Sequence, residues 1–400
     1  MHIPFEASAH VKNTLNNIGR TEDLAFSPDN RRLAIAAYAQ SKILMLDIDI
    51  SVTVHGNNIV IRDCCEIHCK DLKQPHGIAW LDHHTIIVGN RFAHTIVLKI
   101  PLAQPAQKQL ELTAVQVLPH NVTDSSHSND CIAINALGQN LYEILVCSNT
   151  GNYVASHILD STDNFNVLGS AILLEGKLQI PDGIALSPDK RWIAVSNHIN
   201  HSVYIYENVK SLGPASEPCA VLPGITYPHG ISFTACGHFL FVTAAGDPFI
   251  YGYYNPSREW HGEYQPFTKF KSVDDETFAR GHYNEQEGGS KGLDFAYQSG
   301  ILAMTCSEQP LAFVDLTATI HAHKHNNPST SGIETLQLNP DDYLQRTLRC
   351  MKIDQSRLIR LHEANIHKLL SSTSWKVTHP LRTMKRCLDQ LAVTIKRWVI

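Results

Sequence analysis

The chain has 400 residues, of which 43% are hydrophobic and 18% charged, a globular composition with enough apolar side chains for a sizeable core. Its formal charge of −5 is unevenly spread: residues 340–400 carry 12 Lys+Arg against 5 Asp+Glu, leaving 21 against 33 for the rest. An acidic body lacks the basic face of a general nucleic-acid binder, so no nucleic-acid partner is expected. Met1–Arg20 holds no apolar run resembling a signal peptide, and no stretch of about 18 apolar residues occurs anywhere. Cys147, Cys236 and Cys306 lie in or beside apolar strand patterns. Cys64, Cys65 and Cys69 lack a second pair at zinc-site spacing and read as ordinary strand residues. The thiols therefore read as reduced and the protein as cytoplasmic.

One unit recurs six times along the chain. It opens as Glu22-Asp23-Leu24-Ala25-Phe26-Ser27-Pro28-Asp29, followed by Leu33–Ala36 and Ile43–Leu46. The second copy is Pro75-His76-Gly77-Ile78-Ala79-Trp80 with Ile86–Asn90 and Thr95–Leu98. A weaker third reads Asn129-Asp130-Cys131-Ile132-Ala133 with Ile144–Asn149. The fourth is the fullest: Pro181-Asp182-Gly183-Ile184-Ala185-Leu186-Ser187-Pro188-Asp189, Trp192–Asn197 and Ser202–Tyr206. The fifth gives Pro228-His229-Gly230-Ile231-Ser232-Phe233 and the sixth Lys291-Gly292-Leu293-Asp294-Phe295. Copies about 50 residues apart, each with several short apolar strands, predict an all-β fold. It is a six-bladed β-propeller over residues 20–340, after an N-terminal segment of residues 1–19. Ser-Pro-Asp supplies a turn between the first two strands, and residues 255–290 form an insertion before the last blade. Either residues 334–338 or the N-terminal residues supply the strand that closes the ring.

Rotational symmetry puts equivalent residues on one circle. Asp23, His76, Asp130, Asp182, His229 and Lys291, with Glu22 and Asn129 adjacent, mark the inner strands, and Asn90, Asn149 and Asn197 end the second strands. Acids and imidazoles on a small circle suit one divalent cation, Ca²⁺ through carboxylates and amides or Zn²⁺ and Mn²⁺ through histidines. The same residues equally suit a wet channel in which polar side chains cap inner strands. His198 and His201 lie beside the fourth blade's second strand.

The Pro181–Asp189 segment resembles the blade signature of SMP-30/gluconolactonase/strictosidine-synthase-like and NHL-type propellers, a likeness covering about 300 residues. In the gluconolactonase-like members a first-blade glutamate, two later polar ligands and an aspartate surround a divalent metal and hydrolyse lactones. Glu22 resembles that glutamate, and Asn129 or Asp130, with Asp182, stand for the middle ligands. His229 occupies the blade-five position where the aspartate would be ligand and base. The resemblance therefore implies Glu22, Asp130, Asp182 and His229 as metal ligands, with Asp182 or His229 as base. Asp23, His76, Asn149, Asn197 and Lys291 are left to bind a ligand.

After Pro340 the spacing turns helical. Gln355–Leu370 reads as one helix, and Leu381, Met384, Leu388, Leu391, Ile395 and Trp398 form the apolar stripe of a second, basic one, so residues 341–400 are a basic amphipathic helical tail. Such a helix suits a membrane surface or a partner helix. Ser371–Arg382 resembles a short tail of bacterial glycosyltransferases and surface-polysaccharide proteins, which implies a cell-envelope glycan setting. The expectation is a propeller, cytoplasmic or peripheral to the inner membrane. It would bind a small polar or carbohydrate-like ligand, or a protein, at its channel mouth. A metal-dependent lactone or ester hydrolase and a structural scaffold are the other two readings.

Overall fold

A computed structural model describes residues 2–53, 56–101, 108–119, 128–296, 299–320 and 338–371. Six mainly antiparallel sheets follow one another along the chain. Their innermost strands are Leu24–Phe26, Pro75–Asp82, Ile132–Ala136, Pro181–Leu186, Pro228–Phe233 and Ser290–Ala296. Inner strands of successive blades pack against one another around the ring, which makes the protein a six-bladed β-propeller with a C-terminal helix.

The N-terminal residues close the ring. His2–Ile3 pairs antiparallel with Ala312–Asp315 as the outer strand of the sixth blade. Phe5–Ala7 then pairs parallel with Gly56–Cys69, the fourth strand of the first blade. The next element, helix α1 (Ala9–Asn16), is capped by Ser8, whose hydroxyl accepts from the Val11 amide at 3.3 Å. Val11 and Leu15 of α1 are buried among Leu33 and Leu44 of blade one and Ile301 and Phe313 of blade six. Residues 2–16 therefore span the seam between the two terminal blades. Residues 334–337, the other candidate closing strand, lie outside the described residues.

The Ser-Pro-Asp turns follow their chemistry. The Ser27 and Ser187 hydroxyls accept from the Arg32 and Trp192 amides at 2.9 Å, and Asn30 and Lys190 take left-handed φ of 58° and 62°. Residues 255–290 contain the outer strand of blade five, Thr268–Lys271, and helix α2 (Asp275–Gly281).

The Pro-x-Gly signature has a ring-level cause. A Cβ on Gly77 would lie 2.2 Å from the Asp130 carbonyl oxygen, on Gly183 1.9 Å from that of His229, and on Gly230 2.5 Å from that of Lys291. Each glycine thus abuts the marker residue of the next blade. The strand register also shifts at these points, between Pro75 and Gly77, Pro181 and Ile184, Pro228 and Ile231, and Ser290 and Leu293. Such bulges re-aim the marker side chain toward the channel, and at Gly183 and Gly230 the freed amide donates to Ser196 Oγ (2.5 Å) and Thr243 Oγ1 (2.8 Å).

Helix α3 (Pro340–Ser371) begins on the propeller, and the chain divides into compact units at 1–350 and 351–400. Within the first unit, the fully buried Arg346 donates to Glu143 Oε1 at 2.5 Å and Asn208 Oδ1 at 2.7 Å, tying the helix to blades three and four. The basic stripe expected from Leu381 to Trp398 lies outside the described residues. No helix among the described residues is long and apolar enough to cross a membrane.

Three substitutions test this packing by denaturant unfolding. Gly183→Ala should cost about 3 kcal/mol or more because backbone, not a flexible side chain, stands in the way. Gly138→Ala, whose nearest neighbour is Pro340 Cγ at 3.7 Å, should change stability by less than about 0.5 kcal/mol. Arg346→Ala should cost about 3–5 kcal/mol, since it strands the buried Glu143 carboxylate.

Candidate functional site at the channel mouth

Strand register identifies the equivalent residues. Leu24, Ile78, Ile132, Ile184, Ile231 and Leu293 pair with Ile35, Val88, Val146, Val195, Val242 and Met304. Two residues before each stand Glu22, His76, Asp130, Asp182, His229 and Lys291, so the first blade contributes Glu22 and not Asp23. All six are buried at one layer of the channel.

Three of the other five side chains converge on Glu22. Its Oε2 lies 3.3 Å from His229 Nε2, 3.3 Å from Lys291 Nζ and 3.7 Å from His76 Nε2, while Oε1 accepts from Arg20 Nε. Asp182 faces His229 Nε2 at 3.3 Å, His76 Nε2 at 3.7 Å and His198 Nδ1 at 3.7 Å. Asp130 pairs with Arg91 Nη1 at 2.8 Å and accepts from Ser128 Oγ at 2.7 Å and the Asn149 amide at 2.8 Å. The imidazoles of His76 and His229 stack at 5.4 Å with planes 19° apart. Glu287, delivered by the insertion before blade six, takes Arg20 at 3.0 Å and Lys291 at 3.1 Å.

Burial opposes ionisation of Glu22, but Lys291, His76, His229 and Arg20 outweigh it and hold the carboxyl well below its usual range. Asp182 is likewise buried, and His229, His76, His198 and Arg91 hold it far down. Burial pulls His76 below its ordinary value against the pull of Asp130, Asp182 and Glu22, and it does the same to His198 against Asp182. Lys291 is raised: Glu22 and Glu287 overcome the cost of burying its ammonium.

The residues present fit a divalent cation. Ligand atoms of Glu22, His76 and His229 lie within 4.8 Å of one another, as do those of His76, Cys131 and Asp182. His76 Nδ1, Asp182 Oδ1 and His229 Nδ1 are buried with no hydrogen-bond partner, an expensive arrangement unless something else engages them. Carboxylates mixed with imidazoles suit Zn²⁺ or Mn²⁺ better than Ca²⁺.

Other residues singled out in the sequence lie elsewhere. Asp23 Oδ1 and Oδ2 accept from the Leu24 and Ile78 amides at 2.9 and 3.0 Å, linking blades one and two. Asn197 accepts from the Gln179 amide and donates to Lys177 O, and Asn90 bonds the Lys73 amide and His94 O in the same manner. Asn129 donates to Ala93 O. Asn149 is buried beside Asp130 and reaches that carboxylate through its backbone amide. His201 Nδ1 accepts from the Tyr227 amide at 3.1 Å. Sequence reasoning missed Arg20, Arg91 and Glu287. The first two adjoin marked positions, whereas nothing in the insertion singles out Glu287.

Deeper in the channel a cavity of about 300 Å³ is lined by Asp23, Ile78, Cys131, Ile184, Leu293 and Asp294, among others. Asp294 replaces the alanine of blades one to four and accepts from the Phe26 amide at 2.9 Å, linking blades six and one. Burial raises its pKa from 3.8 to about 6, against the hydrogen bonds it accepts. Folding is therefore favoured by this group below its unfolded value, and the contribution is lost as pH rises through about 6. The melting temperature of Asp294→Asn relative to the parent should thus improve between about pH 5 and about pH 8; a constant difference would contradict the assignment.

No family model and no curated protein matches the chain. Several solved structures share its general outline. A functionally unknown protein from Desulfotomaculum acetoxidans is 14% identical over 72% of this chain and 79% of its own, with a TM-score of 0.44. The β-propeller domain of Cps50 (Swd1) from Myceliophteria thermophila is 14% identical over 74% and 84%, with a TM-score of 0.45. A luciferin-regenerating enzyme is 12% identical over 73% and 89%, with a TM-score of 0.47. Likenesses this distant say nothing about the site.

Proposed function

We propose that the channel mouth is a divalent-cation site that binds a small polar ligand, with Glu22, His76, Asp182 and His229 holding the cation. One observation carries this reading. Among the described residues, Glu22, Asp130 and Glu287 each have a lysine or arginine within ion-pair distance, whereas Asp182 has only the imidazoles of His76, His198 and His229. A buried carboxylate with imidazoles alone at ion-pair distance, and no lysine or arginine, has donors to share with a divalent cation.

The chain's own groups divide the remaining work. Asp130, fixed by Ser128, Arg91 and the Asn149 amide, draws His76 toward the cluster from its Nδ1 side. His198, anchored at 3.2 Å to the Pro228 carbonyl, backs Asp182. Arg91 and Arg20 remain part-exposed and offer charge to an anionic or hydroxyl-rich ligand entering from solvent. A cation held here would polarise a bound carbonyl and activate water, the chemistry of a lactone or ester hydrolase.

The tail motif supports placing this activity beside bacterial envelope-glycan assembly. Residues 372–400 would supply the contact with a membrane surface or a partner enzyme. That setting is tested separately, by loss of vesicle or partner co-sedimentation on truncation after residue 371.

Elemental analysis of untagged protein tests the site. The parent should hold close to one divalent ion per chain, with a large loss in both Asp182→Ala and His229→Ala. Metal absent from the parent, with no thermal stabilisation on adding Mn²⁺ or Zn²⁺, would leave the mouth as an ion-paired channel and remove the hydrolase reading with it.

A further inference from the structure

A second cluster of metal-binding side chains lies away from the channel, where α1 meets the outer strand of blade one. Ligand atoms of His10, Asp63 and Cys64 all lie within 4.8 Å of one another. Asp63 and Cys64 are adjacent in a strand, and regular pleating would send them to opposite faces. The register shifts here: Asp47 pairs with Asp63 but Ile48 pairs with Ile61, leaving Arg62 as an extra residue. A bulge of this kind turns neighbouring side chains from their ordinary directions.

The surroundings hold each group in place. Cys64 is buried in the core shared with Val11 and Leu15 of α1, so its thiol sits directly under the helix. Thr14, one helical turn after His10, donates to the His10 carbonyl at 3.1 Å and its hydroxyl contacts the Cys64 thiol. His10 and Thr14 thus share the face of α1 above Cys64. Asp63 receives Lys108 Nζ and, at 2.8 Å, the Cys64 amide, both on Oδ1, which leaves Oδ2 to turn toward a metal. A lysine behind a ligating carboxylate is an outer-shell partner that orients it.

We infer that His10, Asp63 and Cys64 form a three-ligand site for a thiophilic divalent ion such as Zn²⁺, with the fourth position open to solvent. One imidazole, one carboxylate and one thiolate make a mixed donor set that suits tetrahedral Zn²⁺ and, among spectroscopic probes, Co²⁺. The exposed His10 supplies the movable ligand that closes on the ion, while the strand pair is fixed. Because α1 follows directly on the two segments that stitch blade six to blade one, a metal there would tie the seam to blade one by a third link. Its role is structural, independent of any ion at the mouth.

Co²⁺ titration of full-length protein tests this, since a thiolate–cobalt bond gives a charge-transfer absorption that imidazole and carboxylate ligands do not. The inference expects this absorption to saturate near one equivalent and to persist in His229→Ala. It should vanish in Cys64→Ser, and His10→Ala, a change at an exposed residue that should not disturb folding, should weaken Co²⁺ binding by about tenfold or more. Absorption that survives Cys64→Ser but is lost in Asp182→Asn would belong to the mouth and overturn the inference. So would the absence of any thiolate band, or His10→Ala binding as tightly as the parent.

Discussion

The structure depends on how closely adjacent inner strands approach at the channel. Around the mouth, the backbone of one blade presses on the next so tightly that no Cβ fits at Gly77, Gly183 or Gly230. That approach forces the bulges, and the bulges swing the preceding side chains into the lumen. Hydrophobic burial between blades supplies the driving force, but the glycine contact sets the radius of the ring. A circle this small then brings Glu22, His76, Asp130, Asp182, His229 and Lys291 together whether or not their charges agree.

Charge agreement is reached by recruitment from outside the repeat. Arg20 precedes the first inner strand, Arg91 follows a second strand, and Glu287 comes from the insertion before blade six. These pair with Glu22, Asp130 and Lys291, and among the described residues no lysine or arginine comes within ion-pair distance of Asp182. The two deeper carboxylates, Asp23 and Asp294, do different work. Each accepts an amide from the inner strand of the following blade, so carboxylates link blades six, one and two, and at the six–one joint the link adds to the close approach of Gly292 to Asp23. Those are also the blades beside the seam that residues 2–16 close. The seam is thus reinforced from the channel side and from the rim.

The repeat was legible because its causes are local. Ser-Pro-Asp encodes a turn, alternating apolar runs encode strands, and Pro-x-Gly encodes the close approach of blades. The circle of polar markers followed from symmetry alone, though bulge register was needed to choose Glu22 over Asp23. What the sequence hid is non-local. A two-residue strand at His2–Ile3 has no periodicity to find, and its meaning comes from Ala312–Asp315 at the far end of the chain. Asn90 and Asn197 looked equivalent to ligand residues, yet loop amides and carbonyls consume their side chains. Cys64 looked like an ordinary strand cysteine because the histidine facing it lies more than fifty residues earlier.

Among the described residues Asp182 has no lysine or arginine within ion-pair distance, which is the centre of this account, and diffraction shows directly what stands there instead. Crystals grown with Mn²⁺ and measured for anomalous scattering should show a peak bonded to Asp182 and Glu22, with His76 and His229 completing the shell. A mouth with no such peak, and with Lys291 or a protonated imidazole hydrogen-bonded to Asp182 in its place, would mean that the channel balances its own charge and holds no cation.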